Sequence, residues 1–315
     1  MNALTDITFG PVPSRRLGRS LGLNNIPPKI CSYACIYCQV GKTLKMQVER
    51  KKFFEVNDIF NAVQERVEQI RKQGEDIDFL TFVSDGEPTL DIELGHSIET
   101  LKALNIPVAV ISNSTLIDRE DVRNDLYKAD WVSLKVDAVE ETIWRKINRP
   151  HRRLDLEQIL KGMLVFRKHF NGILVTETML IKGVNDTKAK IERISRFLSR
   201  LKPDFAYLSI PTRPPADKSV AAAAPRKLEL AHQIFTQRLD RVELLTGYES
   251  NTFSYTGDIR RDIRNITAVH PMRKEAVVEI LNKAGADWMI VEDMLHKGEL
   301  VQTEYNGHLF FLRSF

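Results

Sequence analysis

The sequence predicts an α/β protein in which a partial (β/α)6 barrel precedes a small C-terminal winged-helix-like domain. Between residues 55 and about 240, short β-rich runs alternate with amphipathic stretches, the pattern of βαβ units around a parallel sheet. Six such repeats suit an open barrel, because a closed eight-fold barrel typically takes ~250 residues. Beyond about residue 257 the order becomes helix, helix, hairpin. We therefore expect a core domain over residues 1–257 and a second domain over residues 258–315.

The repeats of the core domain are predicted from two patterns of apolar residues. Ile59, Val63, Val67 and Ile70 recur at helical spacing, whereas shorter continuous β-rich runs indicate buried strands. The predicted strands are 19–23, 79–83, 107–111, 131–136, 173–181 and 205–210. The predicted helices are 58–71, one ending near 104, 118–127, 156–169 and 188–201.

The chain changes character after the sixth strand. Residues 211–225 are rich in Pro and Ala and predict a long loop that closes over the barrel mouth. Gly285 separates two of the helices expected next, and Asn306-Gly307 predicts a type I′ hairpin. The predicted elements are helices 226–238, 272–284 and 287–297, then strands 299–305 and 308–313.

The charge of the C-terminal module argues against a nucleic-acid reader. Residues 259–315 carry eight basic and eight acidic side chains. DNA binding normally rests on neutralisation of phosphates by Lys and Arg, so DNA is disfavoured as a partner. A protein- or peptide-docking role, or a cap on the barrel, is the preferred interpretation.

The composition is that of an ordinary globular protein. Of the 315 residues, 43% are hydrophobic and 28% are charged, which excludes disordered and collagen-like classes. No apolar run approaches the ~20 residues needed to span a bilayer. The first ten residues lack the basic start and apolar core of a signal peptide. We expect a cytoplasmic protein without a membrane partner.

Positive charge is concentrated in two segments. Residues 1–54 hold nine basic side chains against two acidic ones, and residues 145–153 hold a second basic cluster. The two segments predict an anionic substrate or cofactor near the first of them. A solvated basic surface is the alternative.

Polar residues follow several predicted strands at the point where each strand ends. Asp85-Gly86-Glu87-Pro88 follows the second strand, Ser112-Asn113 the third and Asp137 the fourth. Active sites of parallel α/β folds lie at the carboxyl ends of the strands, where such loops converge. A single run of this kind is also typical of a simple turn, but several on one rim favour a site.

The three cysteines of the chain lie on one short loop. Cys31, Cys35 and Cys38 form a CxxxCxxC pattern, and an odd number over eight positions excludes a disulfide framework. Thiolates at this spacing favour an iron–sulfur cluster, in which three ligands for four irons leave one iron open. A zinc site would need a fourth ligand, and the first histidine of the chain is His96.

The cysteine pattern resembles the signature of the radical S-adenosylmethionine (radical SAM) superfamily. Tyr37 stands at the aromatic position before the third cysteine, and Asp85-Gly86-Glu87-Pro88 is similar to the family's GGEP segment, with Asp85 in place of the first glycine. The opening 9–18 resembles a stand-alone subgroup grouped with wyosine-type tRNA-modifying synthases. Those synthases carry an additional cluster on separate cysteines, which this chain lacks. Further similar positions are Ser112, Asn113, Lys135, Asp137 and Glu177.

The resemblance implies a cofactor set and a chemistry. Cys31, Cys35 and Cys38 would ligate three irons of a [4Fe–4S] cluster, and S-adenosylmethionine would chelate the fourth. One electron, from a flavodoxin- or ferredoxin-like donor, would cleave the cofactor to a 5′-deoxyadenosyl radical that abstracts hydrogen from substrate. Tyr37 and Ile210 would contact the adenine. The remaining implied cofactor-binding residues are Asp85, Gly86, Glu87, Pro88, Ser112, Asn113, Lys135, Asp137 and Glu177. For the last three, a salt-bridge network at the rim is an equal alternative.

Three functions are consistent with these features. The first is a single-cluster radical enzyme that modifies an anionic substrate such as tRNA. The second is a radical activase or maturase that acts on a protein or peptide docked by the C-terminal module. The third is an iron–sulfur redox-sensing regulator that is not an enzyme.

Overall fold

The computed structural model describes residues 7–247 and 253–314. The prediction that the chain has no signal peptide concerns its first ten residues, and residues 1–6 lie outside the described residues. Within the described ranges, no helix is both long enough and apolar enough to cross a membrane.

An eight-stranded sheet forms the centre of the fold. Its order is β1-β2-β5-β6-β7-β8-β9-β10, and its strands are parallel except for β1, which pairs antiparallel with β2. A two-stranded parallel pair, β3 and β4, lies outside this sheet. The strands are β1 (Thr8–Ser14), β2 (Gly18–Leu23), β3 (Ile30–Cys31), β4 (Lys45–Met46), β5 (Phe79–Phe82), β6 (Val108–Ser112), β7 (Trp131–Lys135), β8 (Ile173–Met179), β9 (Phe205–Ser209) and β10 (Val242–Leu245).

All six strands predicted for the core domain are confirmed, and they form the parallel part of a curled, partial barrel. Sequence reasoning missed the two edge strands. β1 contains Pro11 and Pro13, which are tolerated at a sheet edge but do not indicate a strand. β10 has only four residues, of which Leu245 alone is buried, so its apolar signal is weak.

Helices connect the parallel strands. The predicted helices are confirmed with shifts of a few residues, and 3₁₀ turns at Pro88–Leu90 and Lys102–Leu104 flank the second helix. A helix missed from sequence covers Glu141–Asn148 and buries Trp144 and Ile147. The helices are α1 (Val56–Lys72), α2 (Leu94–Leu101), α3 (Glu120–Leu126), α4 (Glu141–Asn148), α5 (Leu156–His169), α6 (Lys188–Leu201) and α7 (Pro225–Thr236).

The core lies between the sheet and these helices. Leu80, Val110 and Val132 on neighbouring strands are fully buried, as are Val63 and Ile70 of α1. Burial on both faces explains why the parallel strands read as continuous apolar runs instead of alternating ones. This core fixes the carboxyl ends of β5 to β9 at one rim.

The C-terminal part of the chain has its own apolar cluster, which includes Ile263, Val277 and Phe311. Asn306 and Gly307 both have positive φ, as a type I′ hairpin turn requires. The elements are α8 (Ile259–Val269), β11 (Met272–Arg273), α9 (Lys274–Ala284), α10 (Met289–His296), β12 (Leu300–Tyr305) and β13 (His308–Arg313), with sheet order β11-β13-β12. Sequence reasoning missed α8. The winged-helix-like assignment and the boundary after residue 257 stay predictions.

The C-terminal module contacts the core near the barrel mouth. α8 packs on β1, and Arg66 Nη2 lies 3.0 Å from Asp262 Oδ1 in a buried ion pair. Gln39, one residue after the last cysteine, donates from Nε2 to the Val269 carbonyl at 3.3 Å. The module therefore touches the loop that carries the cysteines.

Candidate active site

The cysteine loop is fastened to the end of α4. Ala34 N donates to the Asn148 carbonyl at 3.0 Å, and Ile36 N donates to the Ile147 carbonyl at 2.9 Å. Trp144 Nε1 donates to the Tyr33 hydroxyl at 2.5 Å. These bonds fix the backbone on which all three cysteines are placed.

The three thiols are half-buried and are not in disulfides. Burial raises the pKa of each thiol, to about 12 for Cys35, so a positive centre is needed to hold them as thiolates. The Asn148 amide opposes the rise in the pKa of Cys35, because its Nδ2 lies 3.4 Å from Cys35 Sγ. Asn113 Nδ2 lies 3.4 Å from Cys31 Sγ. Thiolates are the ligands that an iron–sulfur cluster takes, and the charges of Cys35 and Cys38 both act on Cys31, so this loop fits such a cluster. Among the described residues, no three Cys, His, Asp or Glu side chains already form a metal-binding group.

The turn after β5 passes close to the start of the cysteine loop. Lys29 N donates to the Asp85 carbonyl at 2.6 Å, and Glu87 N donates to the Ile30 carbonyl at 3.1 Å. Gly86 lies between these bonds with φ of 159°, and a Cβ there would lie 2.0 Å from the Ile30 carbonyl oxygen. Only glycine allows this approach.

We expect Gly86→Ala to displace the 85–88 turn from the cysteine loop. The clash is with backbone, which cannot move aside, so we expect a loss of at least ~2 kcal/mol of unfolding free energy. Gly74→Ala is the matched control, since Gly74 also has positive φ but nothing lies within 4 Å of its added Cβ; its cost is ~1–2 kcal/mol. Urea unfolding of both variants checks this, and equal losses would contradict it.

The Asp85 side chain contacts the segment that precedes the cysteine loop. It is buried and forms an ion pair with Lys29, whose Nζ lies 3.2 Å from Asp85 Oδ1. Burial raises the pKa of Asp85 to about 6, although Lys29 opposes the shift. Asp85 therefore braces the turn against the segment that leads into the cysteine loop.

Glu87 joins the ends of β5 and β6. Its buried carboxylate accepts hydrogen bonds from Ser112 Oγ at 2.8 Å and from Asn113 N at 2.7 Å. It also accepts Thr89 N at 3.1 Å and Thr89 Oγ1 at 2.6 Å. Burial raises the pKa of Glu87, although the four hydrogen bonds each act to lower it. The carboxylate thus fixes two strand-end loops relative to each other.

Lys135, Glu177 and Arg16 form an ion-pair network across the ends of β7 and β8. Glu177 Oε1 lies 2.7 Å from Lys135 Nζ, and Glu177 Oε2 lies 2.5 Å from Arg16 Nη1. Ser209 Oγ donates to Glu177 Oε1 at 3.0 Å. Burial raises the pKa of Glu177, but the two cations together hold it well below its usual range. Lys135 Nζ also lies 5.2 Å from the centroid of the Tyr37 ring.

The Asp137 carboxylate accepts hydrogen bonds from the cysteine loop and from the end of α4, which holds that loop. The Tyr37 hydroxyl and Asn148 Nδ2 both donate to Asp137 Oδ2, the latter at 2.8 Å. Met179 N donates to Asp137 Oδ1 at 2.8 Å. Burial and the nearby Asp137 carboxylate raise the pKa of the Tyr37 hydroxyl, so Tyr37 is a neutral donor.

A cavity of about 290 Å³ opens beside the third cysteine, close to the lower end of the ~300–1,000 Å³ usual for ligand sites. Nine of the predicted site residues line it: Tyr37, Cys38, Gly86, Glu87, Ser112, Asn113, Lys135, Glu177 and Ile210. Among the described residues, five of the predicted site residues are not part of its lining: Cys31, Cys35, Asp85, Pro88 and Asp137. The structure therefore brings the strand-end residues and the cysteine loop to one place.

Four residues of the site were missed by sequence reasoning. Ser209 ends β9, so the strand-end rule could have found it. Arg16 lies between β1 and β2, and Asn148 ends a helix that was not predicted. Arg213 also lines the cavity, and its Nη1 donates to Gln39 Oε1 at 2.9 Å. The polarity of Arg16, Asn148 and Arg213 does not by itself predict that the fold brings them to this site.

A family model described as the Radical SAM superfamily matches residues 25–198, more than half of the chain. The chain belongs to the radical SAM superfamily. Members of this superfamily use a [4Fe–4S] cluster and S-adenosylmethionine, so this radical SAM chain is an enzyme with those cofactors. The expectation of a non-enzymatic regulator is set aside.

Relatives of this radical SAM chain include a UPF0026 protein of Methanocaldococcus jannaschii, 46% identical over 98% of this chain and 96% of that protein. A probable dual-specificity RNA methyltransferase, RlmN of Endomicrobium trichonymphae, is 25% identical over 59% of this chain and 54% of its own length. Among solved structures, TYW1 with a lysine-pyruvate adduct bound matches with a TM-score of 0.52 and 17% identity, over 70% of this chain and 74% of that one. At this identity the structural match shows the fold, a partial radical SAM barrel.

Proposed function

We propose that Cys31, Cys35 and Cys38 hold a single [4Fe–4S] cluster and that S-adenosylmethionine binds in the cavity beside Cys38. When bound, these cofactors supply a 5′-deoxyadenosyl radical that abstracts hydrogen from the substrate. The observation that carries this proposal is that the half-buried cysteine loop, through Tyr37 and Cys38, meets the strand-end residues at one cavity.

The wall residues orient the cofactor and keep water out. The Gly86 turn presents backbone polar groups to the cavity, and Glu87 fixes that turn relative to Ser112 and Asn113. Lys135 and Glu177 offer opposite charges at the far side. Such a fixed polar surface suits a ligand that carries both an ammonium and a carboxylate.

We propose an anionic substrate, with tRNA the favoured class, because the fold joins the two basic segments at the cysteine loop. The Ser32 carbonyl accepts His151 N at 3.0 Å, and Tyr33 bridges to Pro150. Exposed cations therefore flank the loop on both sides: Lys42, Lys45, Arg145, Lys146, Arg149, Arg152 and Arg153. The similarity to an RNA methyltransferase supports the same class.

Binding of bulk tRNA tests this proposal. We expect the affinity to fall steeply with salt, since each neutralised phosphate releases counterions. Replacing Lys146 and Arg152 together by Gln should reduce the slope of log K against log salt by about one to two. Lys188→Gln with Arg226→Gln, both also exposed, is the charge-matched control. A flat salt dependence would contradict the tRNA proposal.

A protein or peptide substrate is the second candidate. Residues 259–315 carry no net formal charge, and this module reaches the cavity wall through Val269. Co-purification of one protein partner, lost when residues 259–315 are deleted, would favour this candidate over tRNA.

We propose that an acidic electron carrier of flavodoxin or ferredoxin type reduces the cluster. Leu44 is 74% exposed next to Lys42 and Lys45 on the segment that follows the cysteine loop. Leu44 N and Gln47 N donate to the Lys29 and Cys31 carbonyls, so this surface is bonded directly to the cysteine segment. An apolar residue among cations suits a transient, acidic partner.

A further inference from the structure

Two asparagines lie against two of the three cysteine sulfurs. Asn113, at the end of β6, and Asn148, at the end of α4, each place Nδ2 3.4 Å from a sulfur, that of Cys31 and Cys35 respectively. Asn148 is buried, and Asn113 is half-buried. The two side chains come from different elements and approach different ligands.

The surroundings fix Asn148 with its amino group toward sulfur. Its Nδ2 also donates to Asp137 Oδ2 at 2.8 Å. A flipped amide would place the carbonyl oxygen against that carboxylate, so the amino group must face it. An amide nitrogen carries two hydrogens, of which one serves Asp137. The other faces Cys35 Sγ at 3.4 Å, with the Tyr37 hydroxyl oxygen at 3.5 Å as a more distant acceptor.

Asn113 is fixed in a different way with the same outcome. Its Oδ1 accepts Thr115 N at 3.0 Å, and its Nδ2 donates to Ser32 Oγ at 3.0 Å. A flip would turn the amino group toward the Thr115 amide, which is also a donor. The second amide hydrogen of Asn113 is therefore directed at Cys31 Sγ.

We propose that Asn113 and Asn148 set the reduction potential of the cluster by donating hydrogen bonds to its thiolate ligands. Reduction adds negative charge that is shared with the ligand sulfurs, so a fixed donor stabilises the reduced state more than the oxidised one. Loss of either donor makes the cluster harder to reduce. This inference rests on the proposed ligation by Cys31 and Cys35. The asparagines are positioning residues, because they act through the cysteines.

The test uses Asn148→Leu and Asn113→Leu in the full-length, reconstituted protein. Leucine keeps the approximate volume of asparagine and removes the donor. Asn185→Leu is the matched control, because Asn185 is a buried amide that donates to the Asp137 and Met179 carbonyls. The readouts are iron content and an EPR-monitored redox titration without S-adenosylmethionine, neither of which depends on turnover.

We expect each test variant to retain its iron and to shift to a more negative midpoint. At a fixed potential, the ratio of reduced to oxidised cluster should fall about tenfold, or ~59 mV for a one-electron couple. The Asn185→Leu midpoint should match that of the wild type. Because the two donors serve different sulfurs, the double variant should show the sum of the two shifts.

Several outcomes would overturn the inference. One is an unchanged midpoint in both variants with iron retained, which would leave the proposed cluster binding intact. Another is an equal shift in Asn185→Leu, which would show a general effect of a lost buried amide. Loss of iron from both test variants would also overturn it, since the amides would then hold the loop and not tune the cluster. Retention of iron after loss of Cys31 or Cys35 would instead contradict the proposed ligation.

Discussion

Cys35→Ala is expected to abolish both iron binding and the release of 5′-deoxyadenosine. The sequence has three cysteines, so no spare thiol exists to replace Cys35. The surrounding backbone bonds, from Ala34 N to the Asn148 carbonyl and from Ile36 N to the Ile147 carbonyl, do not involve the thiol. The loop should therefore keep its path while it loses one of three cluster ligands.

Anaerobic reconstitution, iron analysis and product detection under reduction measure this result. Wild-type protein should bind about four irons per chain, as a [4Fe–4S] cluster requires. Ser97→Ala is a suitable control, because Ser97 is a buried small residue on α2 outside the cavity wall. Circular dichroism of the apo variant checks that the fold persists. Wild-type levels of iron and product in Cys35→Ala would refute the assignment of the cluster ligands.

The parallel core and its rim were predictable from sequence because both depend on local patterns. A buried parallel strand reads as a short apolar run, and the polar residue that follows it lies at the carboxyl end by topology. This logic predicted Glu87 and Ser112, which the structure joins through a hydrogen bond. Lys135 and Glu177, which the structure joins through a 2.7 Å ion pair, were indicated instead by the resemblance to the radical SAM family.

The partners that complete this rim were not predictable, because they come from distant parts of the chain. Arg16 precedes Glu177 by 161 positions, and it reaches the site only because β1 and β2 form an antiparallel hairpin at the sheet edge. Asn148 follows Cys35 by 113 positions. Neither hairpin nor helix end carries a periodic signal that identifies its spatial neighbour.

The side chains of Asp85 and Asp137 show a related limit of sequence reasoning. Both follow strands that end at the rim, and the family resemblance implies that both bind the cofactor, with a salt-bridge network as an equal alternative for Asp137. The structure instead turns Asp85 to Lys29, and Asp137 to Tyr37 and Asn148. A strand-end position predicts where the backbone lies, but the direction of the side chain depends on which cation or donor is nearest.

The position of the C-terminal module favours the cap interpretation. Val269 of α8 lines the cavity, and Arg213 Nη2 lies 3.0 Å from His270 Nε2. Tyr305 on β12 donates from its hydroxyl to the Pro211 carbonyl at 3.2 Å. Both contacts hold the loop that follows β9, the same loop that was expected to close over the mouth.

Glu177→Gln is expected to cause a large loss of stability at neutral pH. The change leaves Lys135 and Arg16 as two mostly buried cations without their shared carboxylate. Removing one partner of a buried ion pair typically costs ~3–5 kcal/mol, because the remaining charge stays desolvated. Glu141→Gln is the control, since Glu141 pairs with Arg145 on the exposed face of α4. That pair should contribute less than ~0.5 kcal/mol.

The pH dependence of this loss separates the charge of Glu177 from its shape. In the folded protein the pKa of Glu177 is lowered, so the carboxylate stabilises the fold above its unfolded pKa of ~4.3. That stabilisation is lost as pH falls through the lower, folded pKa. Urea unfolding should therefore show a constant gap between wild type and Glu177→Gln from pH 7 to about 5. The gap should narrow below pH ~4.

A second substitution tests whether the unpaired cations cause the loss. Lys135→Met in the Glu177→Gln background removes one of the two cations and keeps an apolar stem of similar length. It should recover part of the lost stability, because it relieves one desolvated charge. If the double variant is instead less stable than Glu177→Gln by the full cost of Lys135→Met alone, the two sites are independent. Lys135 and Glu177 would then hold the ends of β7 and β8 through packing and not through their opposite charges.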